Sequence, residues 1–580
     1  MPYNAAMSER LNNPAEKTGY LGVPAPLVAL AGALLVGLAL RLWGIHWGFP
    51  RVDLSPDELN IWRISARLNW QHLDPGFYNY SGLTFYLNFF AVQLLRLAGV
   101  TIEPHTILLV SRLWSVFFGT LTIAIAFLAA RDFFADERAG AWAAWAVALL
   151  PIHAWHSHFG TSDIGLVFWM TTVFWLSVRA HREPGFPRFL LAGLAAGFAI
   201  GVKFNGALAA ITLLVAAIAA WRERRIPGPG RLLLLLAAAA GAALLGFFMV
   251  SPYSLIHLKT TVDAFFFESA HVKGGHYGFD LSPDGWPYYP YVYQLFAAFP
   301  FSFGLPLYLA TLISLIRFIF RSRKAQLFLG LSFPLAYLGI LASWKFVPTR
   351  YYLPALPILL ILASQGFSQA WAAAGRRRWA ARSAAFLVLA YTLAYSASTV
   401  DRFRLDTRLE AARWARQAVA PGSRFILVEP IFDRNALVPA SAPAPMAFPL
   451  PLERVMEKAY MPLLDRGRFQ VATRDLAGAI ADMERGRLAR SDVLCLSSLV
   501  FLRDVRLGRK AEGRLRLWNT IRRNPRRFRR LNVFDSPFLN RSFYAGLDPM
   551  FACDFVSPTL EFYVPRPRIG RPERESPAQP

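Results

Sequence analysis

Asp57 and Glu58 stand side by side in VDLSPDELNIWRISARL, shortly after the first long apolar run, residues 24–43. An acidic group at a membrane boundary is partly desolvated, which raises its pKa and suits it to accept a proton from a nucleophile. The same residues follow Ser55-Pro56 and also fit a helix start, where acidic side chains favour the first turn. A second carboxylate, Asp163, lies in HAWHSHFGTSDIGLVFW beside His153, His156 and His158. It fits a helix start as well. Together with His156 and His158 it also offers ligands for a divalent metal, although His-x-x-His-x-His is not a specific metal spacing.

Cations are the second ingredient. Lys203 sits in Gly-Val-Lys-Phe-Asn-Gly, residues 201–206, a tight turn between two apolar runs. Lys345 and Arg350 precede another run, in WKFVPTRYYLP. Each suits binding of a phosphate, and each equally suits anchoring at lipid headgroups. The segment 252–291 carries Glu268, His271 and His276 in a Gly- and Tyr-rich context. Long connections often carry function, and this one suits a loop that closes over a substrate.

The elements that must position these residues are membrane helices. Of 580 residues 55% are hydrophobic and 17% charged, and mean hydropathy is +0.33. A soluble domain carries about 25% charged residues, so a soluble enzyme, a disordered chain and a collagen are excluded. Eleven apolar runs are candidate spans: 24–43, 106–130, 139–153, 162–180, 187–202, 205–221, 231–250, 292–317, 325–343, 350–371 and 380–399. Residues 1–20 read as a disordered cytoplasmic N-terminus, and the first run as a retained anchor. The run 82–98 suits either a span or a surface helix.

Charge decides its role and the topology. The breaks at 131–138, 179–188, 222–231, 317–324 and 376–382 hold 17 Lys+Arg in total, whereas those at 154–161, 203–204, 252–291 and 344–350 hold 5. The richer side is the cytoplasmic one. That arrangement needs 82–98 to stay outside the bilayer, in a long first outside loop, 44–105. Every candidate residue then falls on the extracytoplasmic side, and an odd number of spans places the tail there too. The net charge of +25 does not indicate nucleic acid, because 13 of it belongs to the residues before Asp401 and sits mostly in breaks between spans.

Beyond residue 400 the chain is polar. RLEAARWARQAV and ADMERGRLA read as helices, and RFILVEP, RSDVLCLSS and TLEFYVP as strands. This order predicts a soluble α/β domain over 401–570 on a mostly parallel sheet, followed by a disordered end, 571–580. The arginine-rich RRNPRRFRR, 522–530, suits a solvated face or contact with anionic headgroups. Cys495 and Cys553 are the only cysteines. They suit a disulfide if the domain lies outside the cytoplasm, and two core thiols otherwise.

The order of these pieces resembles that of the large polytopic glycosyltransferases of the GT-C class, the protein O-mannosyltransferase and aminoarabinose-transferase-like superfamily. The shared order is an Asp-Glu pair after the first span, a His-rich turn with an Asp, a GxKxNG turn, an Arg-Tyr-Tyr-Leu-Pro start and a polar tail. The resemblance covers about residues 20–400. It implies a polytopic all-α membrane domain over 21–400, with about eleven transmembrane helices, and a C-terminal extracytoplasmic α/β domain. It implies a bacterial inner-membrane glycosyltransferase that takes a hexosyl or pentosyl group from a polyprenyl-phosphate-sugar. The acceptor would be a cell-envelope glycan such as lipid A or core saccharide of lipopolysaccharide, another lipid, or a protein. Asp57 matches the catalytic acidic residue, Glu58 its neighbour and Asp163 the second acidic position. Lys203 and Arg350, with Lys345 in reserve, suit neutralising the phosphate. No cofactor is implied with certainty; a divalent metal stays open.

A transporter or flippase of a lipid-linked saccharide is the rival reading. It would place charges along a path through the membrane. Here the charges gather at the ends of spans, and Arg112 is the exception.

Overall fold

The computed structural model describes residues 24–52, 54–274, 290–428, 470–474, 491–499, 501–502, 512–547 and 558–566, with positions 482, 485, 487–489 and 556. The chain forms two compact units, which part between Arg404 and Leu405.

The first unit is helical. Helices cover all eleven apolar runs. Among the described residues, seven helical segments are long and apolar enough to cross a bilayer: Ala25–Leu42, Pro104–Phe134, Asp163–Arg182, Phe204–Arg222, Gly228–Val250, Lys324–Leu341 and Arg378–Phe403. The other four runs form shorter helices, Glu137–Ala148, Phe186–Val202, Leu305–Arg321 and Leu356–Trp371.

Local chemistry sets their ends. Glu103 and Thr106 form a reciprocal capping box before Pro104, satisfying donors that a helix start leaves free. Asp136 accepts from the Arg138 amide to start the next helix. The run 292–317 is not continuous. Gly304 takes φ +76, and the helix ending at Phe303 restarts at Leu305. The run starting at 350 begins as a short 3-10 turn, Thr349–Tyr352, and its α-helix starts at Leu356.

Helix pairs approach closely where glycine permits it. A Cβ on Gly193 would lie 2.1 Å from the Ala239 carbonyl oxygen, and one on Gly197 would lie 2.2 Å from that of Ala243. Small residues of this kind bring membrane helices into backbone contact.

The first loop holds two helices, Pro56–Arg67 and Leu83–Leu97. They pack through Ile61, Ile64, Leu68, Phe85 and Phe89. At 15 residues, the second helix runs only about 22 Å, short of the ~30 Å hydrocarbon layer. Its Phe90, Leu94 and Leu97 are exposed.

The second unit is α/β. Its strands are β1 (Arg424–Val428), β2 (Gln470–Arg474), β3 (Asp492–Ser497), β4 (Phe528–Phe534) and β5 (Leu560–Pro565), in the order β2-β1-β3-β5-β4. The sheet is mixed. β1 pairs parallel with β2 and β3, while β5 pairs antiparallel with β3 and β4. Ala411 and Ala415 from helix Thr407–Ala418 and Leu517 and Trp518 from helix Glu512–Arg523 pack with Phe425, Leu496 and Phe562. Two strands, β2 and β4, escape the sequence reading because neither is an apolar run. β4 carries two adjacent arginines, Arg529 and Arg530, between Phe528 and Leu531, at a sheet edge. Cys495 is buried in β3. Cys553, positions 481, 483, 484 and 486 of ADMERGRLA, and both chain ends lie outside the described residues.

Candidate active site

The adjacent carboxylates of the first loop point to different surroundings. Both lie in the first turn of helix Pro56–Arg67. The Asp57 side chain is 29% exposed and its Oδ2 is 2.9 Å from an Arg350 nitrogen. Glu58 is buried, 1% exposed. It accepts from Arg112 Nε at 2.8 Å and Nη2 at 3.1 Å, and from the Gly160 amide at 2.8 Å. Arg112 also donates to the carbonyls of Ile45 and Trp47 and lies over the Trp47 ring. This two-pronged pair is the geometry in which a buried charge is well compensated. Glu58 therefore fastens the first loop to helix Pro104–Phe134 and to the turn before Asp163. It offers no free oxygen to a reactant in this arrangement.

Asp163 starts its helix and meets Lys203, with Nζ 2.5 Å from Oδ1. Thr161 donates to the other oxygen at 3.1 Å. The turn predicted at 201–206 aims that lysine. Helix Phe186–Val202 stops at an extended Lys203, and a 3-10 turn, Phe204–Ala209, follows. Gly206 lies against Ala199, where a Cβ would come within 2.3 Å of backbone.

The two ion pairs share one cluster. The Arg350 guanidinium feels both Asp57 and Asp163. Lys203 Nζ lies 5.4 Å from the Tyr80 ring centre. Burial first, then Asp57 and Glu268, push the Tyr80 phenol well above its usual pKa. Tyr80 thus stays a protonated hydrogen-bond donor. Glu268 accepts from the Asn79 amide at 2.6 Å.

Thr161, Gly165 and Val202, close to that pair in sequence, also line a small cleft with room for only about 10 Å³. Leu83, Leu87, Trp114, Phe118 and Val202 make it apolar, with Ser115 and Thr161 as polar lining.

Other candidates lie apart. Lys345 is exposed and forms no ion pair among the described residues. Its amide and that of Phe346 donate to the Val272 carbonyl. The His271 ring packs on Phe346, with centroids 5.8 Å apart. His276 lies outside the described residues.

The metal alternative is not assembled. His158 faces the carbonyls of Ala154 and Trp43 with its two nitrogens. His153 faces Arg41. Burial pushes His156 down to about 3, so it is neutral. No group of three or more His, Cys, Asp or Glu suited to a metal occurs among the described residues. Spaced by three and two residues on a short helical turn, these histidines diverge, which is why Asp163, His156 and His158 do not form one ligand set.

Tyr80 and Asn79 are absent from the sequence reading. Their only signal is the aromatic density of FYNYSG. The structural role of Glu58 had a clearer one: Arg112 is an isolated charge within an apolar run and needs a partner.

Residues 90–254 match the family described as dolichyl-phosphate-mannose-protein mannosyltransferase. No curated protein sequence matches the chain. Among solved structures, the chain is similar to the archaeal oligosaccharyltransferase AglB from Archaeoglobus fulgidus in complex with an inhibitory peptide and a dolichol-phosphate. Identity is 17%, the TM-score is 0.45, and 70% of this chain and 62% of that one are covered. The chain thus spans less than two thirds of that protein's length. It is also similar to ArnT from Cupriavidus metallidurans bound to undecaprenyl phosphate, with 14% identity, TM-score 0.45, and 92% and 97% coverage. The match over residues 90–254 to a mannosyltransferase family agrees with the resemblance stated from the order of the motifs.

Proposed function

We propose that this chain is a membrane glycosyltransferase that moves a sugar from a polyprenyl-phosphate donor to a cell-envelope acceptor, with inversion at the anomeric carbon. The observation that carries this reading is the convergence of two carboxylate–cation pairs, Asp57–Arg350 and Asp163–Lys203, around Tyr80.

A lipid-phosphate donor needs a cationic site and an apolar channel side by side. Its headgroup displaces Asp57 from Arg350 and adds to Lys203, and its prenyl chain lies along apolar side chains such as Leu83, Leu87 and Trp114. Released from Arg350, Asp57 accepts the proton of an acceptor hydroxyl or amine. The acceptor atom bonds to the anomeric carbon as the bond from that carbon to the phosphate oxygen breaks on the opposite side. The leaving polyprenyl phosphate is an anion, stabilised by Lys203 and Arg350 as its charge develops. Asp163 orients Lys203. Tyr80 and Glu268 offer a donor and an acceptor to sugar hydroxyls. Glu58 holds the loop in place.

The charge asymmetry between loops supports a cytoplasmic N-terminus, an extracytoplasmic site and an extracytoplasmic 401–570 domain in the bacterial inner membrane. The test is transfer from a radiolabelled polyprenyl-phosphate-sugar by purified protein. The reading expects transfer by the wild type and its loss in Asp57→Asn and Asp163→Asn variants of equal thermal stability. Equal turnover in all three contradicts it.

A further inference from the structure

The second unit carries a charged surface that the transfer reaction leaves unused. Residues 522–530 include six arginines, at 522, 523, 526, 527, 529 and 530, and all six are exposed. They run from the last turn of helix Glu512–Arg523, through a turn, into β4. This surface stands on a fixed base. Ile521 and Phe528 are buried on either side of the turn. Arg522 is held two-pronged by Glu561, at 2.8 and 3.2 Å. The Asn524 side chain accepts from the Arg527 amide.

Arg523, Arg526, Arg529 and Arg530 form no ion pair among the described residues. Like charges held this close repel one another, and ordinary solvated faces intersperse both signs. Retaining four uncompensated guanidiniums on a rigid corner calls for an external anion. β4 is also the edge strand, with partners on one side only among the described residues.

The connection to the membrane selects the anion. The last membrane helix ends at Val400 and the first helix of this unit begins at Thr407. Six intervening residues reach at most about 20 Å. Thr407 therefore lies within about 20 Å of the end of that helix along the chain, and clustered arginines attract anionic headgroups within a Debye length.

We propose that the corner formed by residues 522–530 is a docking surface for anionic phospholipid headgroups. It seats the second unit on the bilayer independently of catalysis.

Hydrogen exchange of the full chain tests this in two kinds of nanodisc, one of phosphatidylcholine alone and one with phosphatidylglycerol added. The expected result is exchange across 522–534 about tenfold slower in the anionic discs. Raising NaCl to about 0.5 M should remove the difference, because exposed charges are then screened. The variant Arg523→Gln/Arg526→Gln/Arg529→Gln/Arg530→Gln should show no difference between discs while keeping the exchange pattern of β1, β3 and β5. Equal exchange of the wild type in both discs overturns the proposal, whatever the variant does. So does equal protection in phosphatidylcholine discs by soluble polyphosphate, which would make the corner a general phosphate reader and not a lipid contact.

Discussion

Asp57 and Glu58 are neighbours in sequence and carboxylates both, yet their ion pairs differ in kind. The Glu58–Arg112 pair is sealed, with side chains 1% and 2% exposed. All three of its hydrogen bonds serve to join the first loop, helix Pro104–Phe134 and the turn at Gly160. The Asp57–Arg350 pair is open, at 29% and 24%, and shares its surroundings with Asp163 and Lys203. A sealed pair is a fixture, because removing one partner strands a buried charge. An open pair can exchange its partner for a ligand.

Substitutions should separate the two. The largest effect is expected from Asp57→Asn, which should lower transfer about 10³-fold and leave the melting temperature unchanged, as measured by labelled-donor turnover and thermal unfolding in detergent. Glu58→Gln should do the reverse. It strands Arg112 and should destabilise the fold by about 3 kcal/mol, seen as a lower unfolding midpoint. Lys203→Gln should reduce turnover about 10²-fold, with the midpoint nearly unchanged, because one electrostatic stabiliser of the leaving phosphate is gone. If Lys203→Gln instead unfolds the protein, its pair is a fixture like that of Glu58, and the contrast fails.

Smaller effects follow at the rim. Glu268→Gln should raise KM for the donor roughly tenfold and leave kcat within about twofold, since it loses one contact to the sugar. The smallest effect concerns pH. The buried Tyr80 phenol has its folded pKa raised, by burial first and then by Asp57 and Glu268. Its contribution is intact below the unfolded value of about 10 and declines as pH rises past it, because only the unfolded phenol then ionises. Melting measured between about pH 9 and 11 should fall less steeply in Tyr80→Phe.

The helical unit was largely legible in the sequence because a membrane span announces itself by length and apolarity. All eleven runs are helical. What composition cannot convey is a break inside an apolar run, such as Gly304, where one positive φ ends a helix without changing hydropathy. Asp57, Asp163, Lys203 and Arg350 were legible because charges are scarce near spans. The partition of Asp57 from Glu58 was not, since it depends on which way one helical turn faces. Tyr80 and Asn79 arrive through a loop whose path follows from tertiary packing. His156 and His158 likewise do not converge with Asp163 into a group of three ligands among the described residues. In the second unit, β4 was hidden by its own arginines.

The central claim is that Asp57 and Asp163, 106 positions apart, serve one reaction centre. The most direct test is the transfer rate of the double variant Asp57→Asn/Asp163→Asn beside the two single variants. Residues that act as a unit are strongly non-additive. The account predicts that the double variant is no slower than the worse single one, within about threefold. Losses that multiply would place the two carboxylates in separate events and contradict a shared centre.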